Sequence, residues 1–107
     1  MLTFDDIYSK RDSIEKIRQE YVKDISSIDI VKIDTLAAQI RINIITYNDV
    51  YLPITDDCYL EVFANGSYEM TDFNLRSLSY KDRVARTTLI NKLISQIMSC
   101  VDPGPKN

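Results

Sequence analysis

Between Leu36 and Ile44 the apolar residues fall on every second position: Leu36, Ala38, Ile40, Ile42 and Ile44 alternate with Ala37, Gln39, Arg41 and Asn43. A period of two belongs to an extended chain whose successive side chains point to opposite faces, so this stretch predicts a strand with one face on a core. Such a strand needs neighbours for its backbone and a cover for its apolar face. The flanking sequence supplies both.

Val50, Leu52 and Ile54 predict a second strand. A two-residue turn at Asn48-Asp49 would put the two apolar sets on opposite faces. A three-residue loop, Tyr47 to Asp49, sets Thr46 opposite Val50, Ile44 opposite Leu52 and Ile42 opposite Ile54, so the odd-length loop is expected. Asn65-Gly66 is the strongest short hairpin signal and predicts that Cys58 to Ala64 pairs with Ser67 to Phe73. A two-residue turn there sets Phe63 opposite Tyr68 and Glu61 opposite Met70, with Tyr59 on that side and Cys58, Leu60, Val62 and Phe73 on the other. Both faces of this hairpin carry apolar residues. Either helices cover both, or one is left for a partner.

Helices are predicted at both ends. Thr3 and Asp6 have capping-box spacing, with Leu2 and Ile7 as the hydrophobic staple. The helix beginning at about Phe4 carries Ile7, Ile14, Ile17, Tyr21, Ile25 and Ile28 along one stripe. No apolar residue falls between Ser9 and Ser13, where a break or an exposed turn is expected. Ile28 to Ile33 fit either an extension of this helix or an additional strand. Ser79 and Asp82 repeat the capping-box spacing, and Val84, Ile90, Leu93, Ile94, Ile97, Met98 and Val101 stripe a helix running to about Cys100. The segment from Asp102 to Asn107 holds two prolines and a glycine and cannot continue it. The expected fold is a single α+β domain over residues 1–101, an antiparallel three- to four-stranded meander sheet flanked by an N-terminal and a C-terminal helix, with a short flexible tail over 102–107.

At 107 residues the chain buries roughly two-thirds of its unfolded surface as one domain, without staples. Cys58 and Cys100 are too few for a disulfide framework and are expected as free thiols, although the sequence leaves a single bridge between them open. The N-terminal acids and the lack of a long apolar run match neither a secretory signal nor a membrane span, so a cytoplasmic protein is expected.

The chain has no histidine and only two glycines. The first removes Ser-His and Cys-His nucleophilic pairs and the commonest metal ligand. The second removes a phosphate-cradling loop. Asp56 and Asp57, near Asp49 and Glu61, match no calcium loop and read as a solvated turn. Cys58 follows these acids, which oppose thiolate formation, and reads as a packing residue. No catalytic residue, cofactor or metal is expected, and the chain is expected to be non-enzymatic.

Charge is distributed unevenly. Residues 42–75 contain six acids and no lysine or arginine, whereas residues 76–107 contain six basic residues and two acids, within a net charge of −3. The acidic stretch also holds four tyrosines, which offer large contact area at little rotamer cost. Acids interleaved with tyrosines on a sheet suit a protein partner with a basic surface, as an inhibitor or immunity-type protein would cover a nucleic-acid-binding site. Asp49, Tyr51, Asp56, Asp57, Tyr59, Glu61, Tyr68 and Glu69 are the candidate partner-binding residues. They cannot all act together, because one sheet face does not display neighbours of both parities. The alternatives are a self-associating structural or scaffold subunit, using the two-faced hairpin, and a nucleic-acid-binding accessory protein, using Arg76, Lys81, Arg83, Arg86 and Lys92. The acidic balance argues against nucleic acid.

Overall fold

The computed structural model describes residues 2–33 and 40–101. Two short helices open the chain, α1 (Phe4–Tyr8) and α2 (Arg11–Gln19). The capping box of α1 forms in both directions: Asp6 N donates to Thr3 Oγ1 at 3.2 Å, and Thr3 N donates to Asp6 Oδ2 at 2.9 Å. The bond from the Thr3 backbone, with that from its hydroxyl, holds the Asp6 carboxyl below its ordinary range. The expected break falls at Ser9 and Lys10, whose N–H groups return to the carbonyls of Asp5 and Ile7.

The single long stripe is not formed. Ile7 and Ile14 are buried on α1 and α2, but Ile25 and Ile28 belong to a strand, β1 (Ile25–Lys32). Positions 25 and 28 satisfy a helical period after Tyr21, yet Ile28, Ile30 and Lys32 also alternate with Asp29 and Val31, and the β-branched residues favour the extended chain. The strand alternative for residues 28–33 is therefore the one adopted, and β1 extends it back to Ile25.

The central strand is β2 (Ile40–Tyr47), and its expected start at Leu36 lies outside the described residues. It pairs antiparallel with β1, Ile28 opposite Ile44 and Ile30 opposite Ile42, with an irregularity in register between Ile25 and Ser27. The next strand is shorter than expected: β3 is Pro53–Ile54, Thr46 lies opposite Ile54, and Val50 and Leu52 are not in it. The cause is Asn48, whose Oδ1 accepts from the N–H groups of Val50 and Leu52 at 2.9 and 3.0 Å. This local side-chain turn competes with the ladder and lengthens the loop. Ile42 consequently faces Leu60 of β4 (Cys58–Val62) rather than Ile54.

The last strand, β5 (Tyr68–Asp72), pairs with β4, and the sheet runs β1-β2-β4-β5 with β3 beside the end of β2. Its register differs by one residue from the expected one. Phe63 N donates to Ser67 O and Gly66 N to Phe63 O, both at 2.9 Å, with Gly66 at φ 88°. The turn is thus a three-residue loop whose last member, Gly66, takes the left-handed position of a bulge. Val62 faces Tyr68, Leu60 faces Met70, and Glu61 faces Glu69. One extra loop residue has exchanged the two faces of β5.

The three α-helices lie on one face of this sheet. Ile40, Ile42, Ile44, Cys58, Leu60 and Val62, which share a face by register, form one core cluster with Ile7, Ile14 and the buried residues of α3 (Tyr80–Val101). Ser79 Oγ accepts from Asp82 N at the start of α3. At 22 residues this helix is roughly 33 Å long, and its buried positions Ile90, Leu93, Ile94, Ile97, Met98 and Val101 all lie from its midpoint onward. Val84, expected in the stripe, is exposed on the first half. Val101 extends the helix to the edge of the described residues, and the expected tail over 102–107 lies outside them. Tyr21, in the turn after α2, joins the same core, and its Oη donates to Gln96 Oε1 of α3.

The first half of α3 is fastened by an ion pair. Arg86 Nε and Nη2 donate to Asp72 Oδ2 and Oδ1 at 2.8 and 2.9 Å, and the Asp72 side chain is only 1% exposed. Asp72 Oδ1 also accepts from Asn74 N, capping a 3-10 helix, Phe73–Ser77. Removing one partner leaves the other buried and uncompensated, so Arg86→Met should cost about 3–5 kcal/mol in urea unfolding. The double variant Asp72→Leu with Arg86→Met should recover most of that loss, and a double variant as unstable as the single would contradict this account.

Candidate functional site

No described α-helix packs on the face of the sheet opposite the core, and Phe73 of the 3-10 helix reaches Tyr59 there. Register places Val31, Arg41, Glu61 and Glu69 in one row across it and Asp29, Asn43, Tyr59 and Thr71 in the next. The Arg41 guanidinium lies 4.2 Å from the centre of the Tyr59 ring and 3.5 Å from Glu61 Oε2. Tyr59 in turn lies 6.4 Å from Phe73, over which Arg76 sits at 5.3 Å. The result is a continuous line of cation, ring, ring and cation. Arg41 Nε and Asn43 Oδ1 are buried without a hydrogen-bond partner among the described residues. Glu61 and Glu69 face each other directly, a like-charge arrangement that opposes strand pairing.

A second feature lies at the end of the sheet where β2 turns into β3. A cleft of about 850 Å³ separates this turn from the first half of α3. Tyr47, Asn48, Asp49 and Tyr51 form one wall, Asp82, Ala85, Arg86 and Leu89 the other, and Asn74 and Ser77 of the 3-10 helix contribute to its lining. Thr46 lines it at only 3% exposure, and its hydroxyl has no partner among the described residues. Tyr51 is 69% exposed, holds a left-handed φ of 59° and packs its ring 5.4 Å from that of Tyr47. A bulky residue in that region is a strained one.

The eight sequence-predicted residues therefore fall into separate groups. Tyr59, Glu61 and Glu69 come together on the uncovered face. Asp49 and Tyr51 line the cleft, and Asp56 and Asp57 occupy the turn before β4. Tyr68, with its strand partner Val62, belongs to the helix side, where it borders Met98 and Ser99. The expected grouping of Tyr68 with Glu61 and Tyr59 fails because of the Gly66 bulge. Arg41, Asn43 and Arg76 are additions to the expected surface, the first two legible as the polar members of the alternating strand. Phe73, an aromatic of the acidic stretch expected on the opposite hairpin face, joins Tyr59 through the same register difference. Among the cations of the last helix, Arg86 is engaged by Asp72, and Arg83 donates to the carbonyl of Leu78.

Both cysteines are free. Cys58 lies in the core, where burial, followed by the negative charge of Asp72, pushes its thiol up to about 12. Among the described residues no group of three or more histidine, cysteine or acidic side chains is placed to hold a metal ion, and no described helix is long and apolar enough to cross a membrane. No family model matches the sequence, and neither a curated protein nor a solved structure shows significant similarity to it.

Two outcomes follow from this geometry. At pH 8 the folded protein should react with one equivalent of an alkylating reagent, at Cys100, and with two only in denaturant, because Cys58 is inaccessible and protonated. Tyr51→Gly should be more stable than Tyr51→Ala by about 1 kcal/mol in thermal unfolding, since only glycine holds a positive φ without penalty. Equal stabilities would deny the strain.

Proposed function

We propose that this chain is a protein-binding module whose uncovered sheet face docks on a basic protein surface, in the manner of an inhibitor that covers a nucleic-acid-binding site. The observation that carries the reading is the direct opposition of Glu61 and Glu69 on a face with no described α-helix over it. Like charges in register cost strand stability, so a cation supplied from outside relieves a repulsion that the fold itself maintains. Asp29 adds a third carboxylate to this face, against Arg41, whose charge is already shared between Glu61 and the Tyr59 ring. The neighbouring Tyr59 and Phe73 supply aromatic area of the kind that anchors interface centres.

Glu69→Lys separates this function from folding. The change converts a like-charge pair into an opposite pair and should raise stability by about 0.2–1 kcal/mol. In affinity capture from the native host, the wild-type chain should retain a basic protein that the Glu69→Lys chain loses. Equal recovery of that protein by both chains would refute the reading.

A further inference from the structure

We infer that the cleft between the β2–β3 turn and α3 receives an arginine side chain presented by that basic partner. The inference rests on the docking reading and gives it a pocket. Arg86 is neutralised by Asp72, which leaves the carboxylates of Asp24, Asp49 and Asp82 against the single ammonium of Lys23 among the groups that line the cleft. Lys81 and Arg83, adjacent to Asp82 in sequence, are not among those groups. The cleft therefore favours a cation. The paired rings of Tyr47 and Tyr51 select a flat one, because a guanidinium stacks on an aromatic face while an ammonium is a compact, strongly hydrated charge. The buried Thr46 hydroxyl is an acceptor that has no partner, and a guanidinium brings several N–H donors.

Two features assign the cation to a protein rather than to a free small molecule. Val50, Tyr51 and Leu52, in the loop that forms the rim, are consecutive and all largely exposed, an apolar knuckle that a partner surface would cover. The 3-10 helix joins the two regions: its Phe73 and Arg76 end the aromatic line on the uncovered face, while its Asn74 and Ser77 line the cleft. One docked protein spans both.

The test is an amide chemical-shift titration of the intact chain with a tri-arginine peptide, a tri-lysine peptide and free arginine. Tri-arginine should shift Asn48, Tyr51, Asn74 and Asp82 and bind several-fold more tightly than tri-lysine or free arginine. Asp49→Asn with Asp82→Asn should weaken it about tenfold, the scale of a lost charge contact. Tyr51→Gly, which keeps the left-handed turn but removes the ring, should abolish the preference for arginine over lysine. Shifts confined to Tyr59, Glu61 and Glu69, no preference for arginine, or equal affinity for free arginine would overturn the inference. The docking reading is judged separately, because Glu69→Lys should leave peptide affinity at the cleft within about twofold while abolishing capture of the host partner. Peptide binding at the cleft with capture indifferent to Glu69 would retain the pocket and remove the docking face.

Discussion

Three elements of the molecule meet at the carboxylate of Asp72. It ends β5, its oxygens cap the following 3-10 helix through Asn74, and it holds the guanidinium of Arg86 from the second turn of α3. Donors from two directions fix one small acid, and so the path of the chain from sheet to helix is fixed as well. The same contact explains why the exposed first half of α3 has a defined position although its buried residues begin only at Ile90. The cleft exists because that half of the helix is held beside the β2–β3 turn without being packed into it. Cys58 is buried next to this pair, and burial first, then the charge of Asp72, keeps its thiol protonated.

The second constraint is parity. The three α-helices are on one side of the sheet, so through β2 and β4 the even-numbered residues face them and the odd-numbered ones face the other way. Apolar groups dominate the first set, and the second includes Ile45, buried at 9% exposure. The second set is neither a water-soluble polar face nor an apolar one: Arg41, Tyr59 and Phe73 touch in sequence, while carboxylates flank them. A surface built from mutually stacked side chains is held in shape in the free chain, and under the proposed docking this would lower the entropy lost on binding.

Much of this was legible in the sequence, for identifiable reasons. The α+β class, the alternating central strand, the capping box at Thr3, the hairpin around Asn65-Gly66 and the apolar stripe of α3 each rest on short-range patterns that tertiary contacts do not overrule. The errors share a cause, in that two periods or two turns satisfied the same residues. Ile25 and Ile28 match both a helix and a strand. Asn48 is compatible with a tight hairpin, but its side chain caps a longer loop. Asn65-Gly66 signals a turn without stating whether the glycine lies inside a two-residue turn or forms the bulge of a three-residue one. The candidate surface was legible only as composition, because its membership depends on that last distinction.

The hairpin at Gly66 limits which changes of chain length this fold tolerates. Surface loops ordinarily gain and lose residues freely. Here a single insertion or deletion between Phe63 and Ser67 would turn β5 over, sending Glu69 and Thr71 toward the core and Tyr68 and Met70 into solvent. Both the packing and the arrangement of acids would be lost in one step. The length of this loop is therefore constrained together with the core, whereas a substitution on the opposite face leaves the register intact.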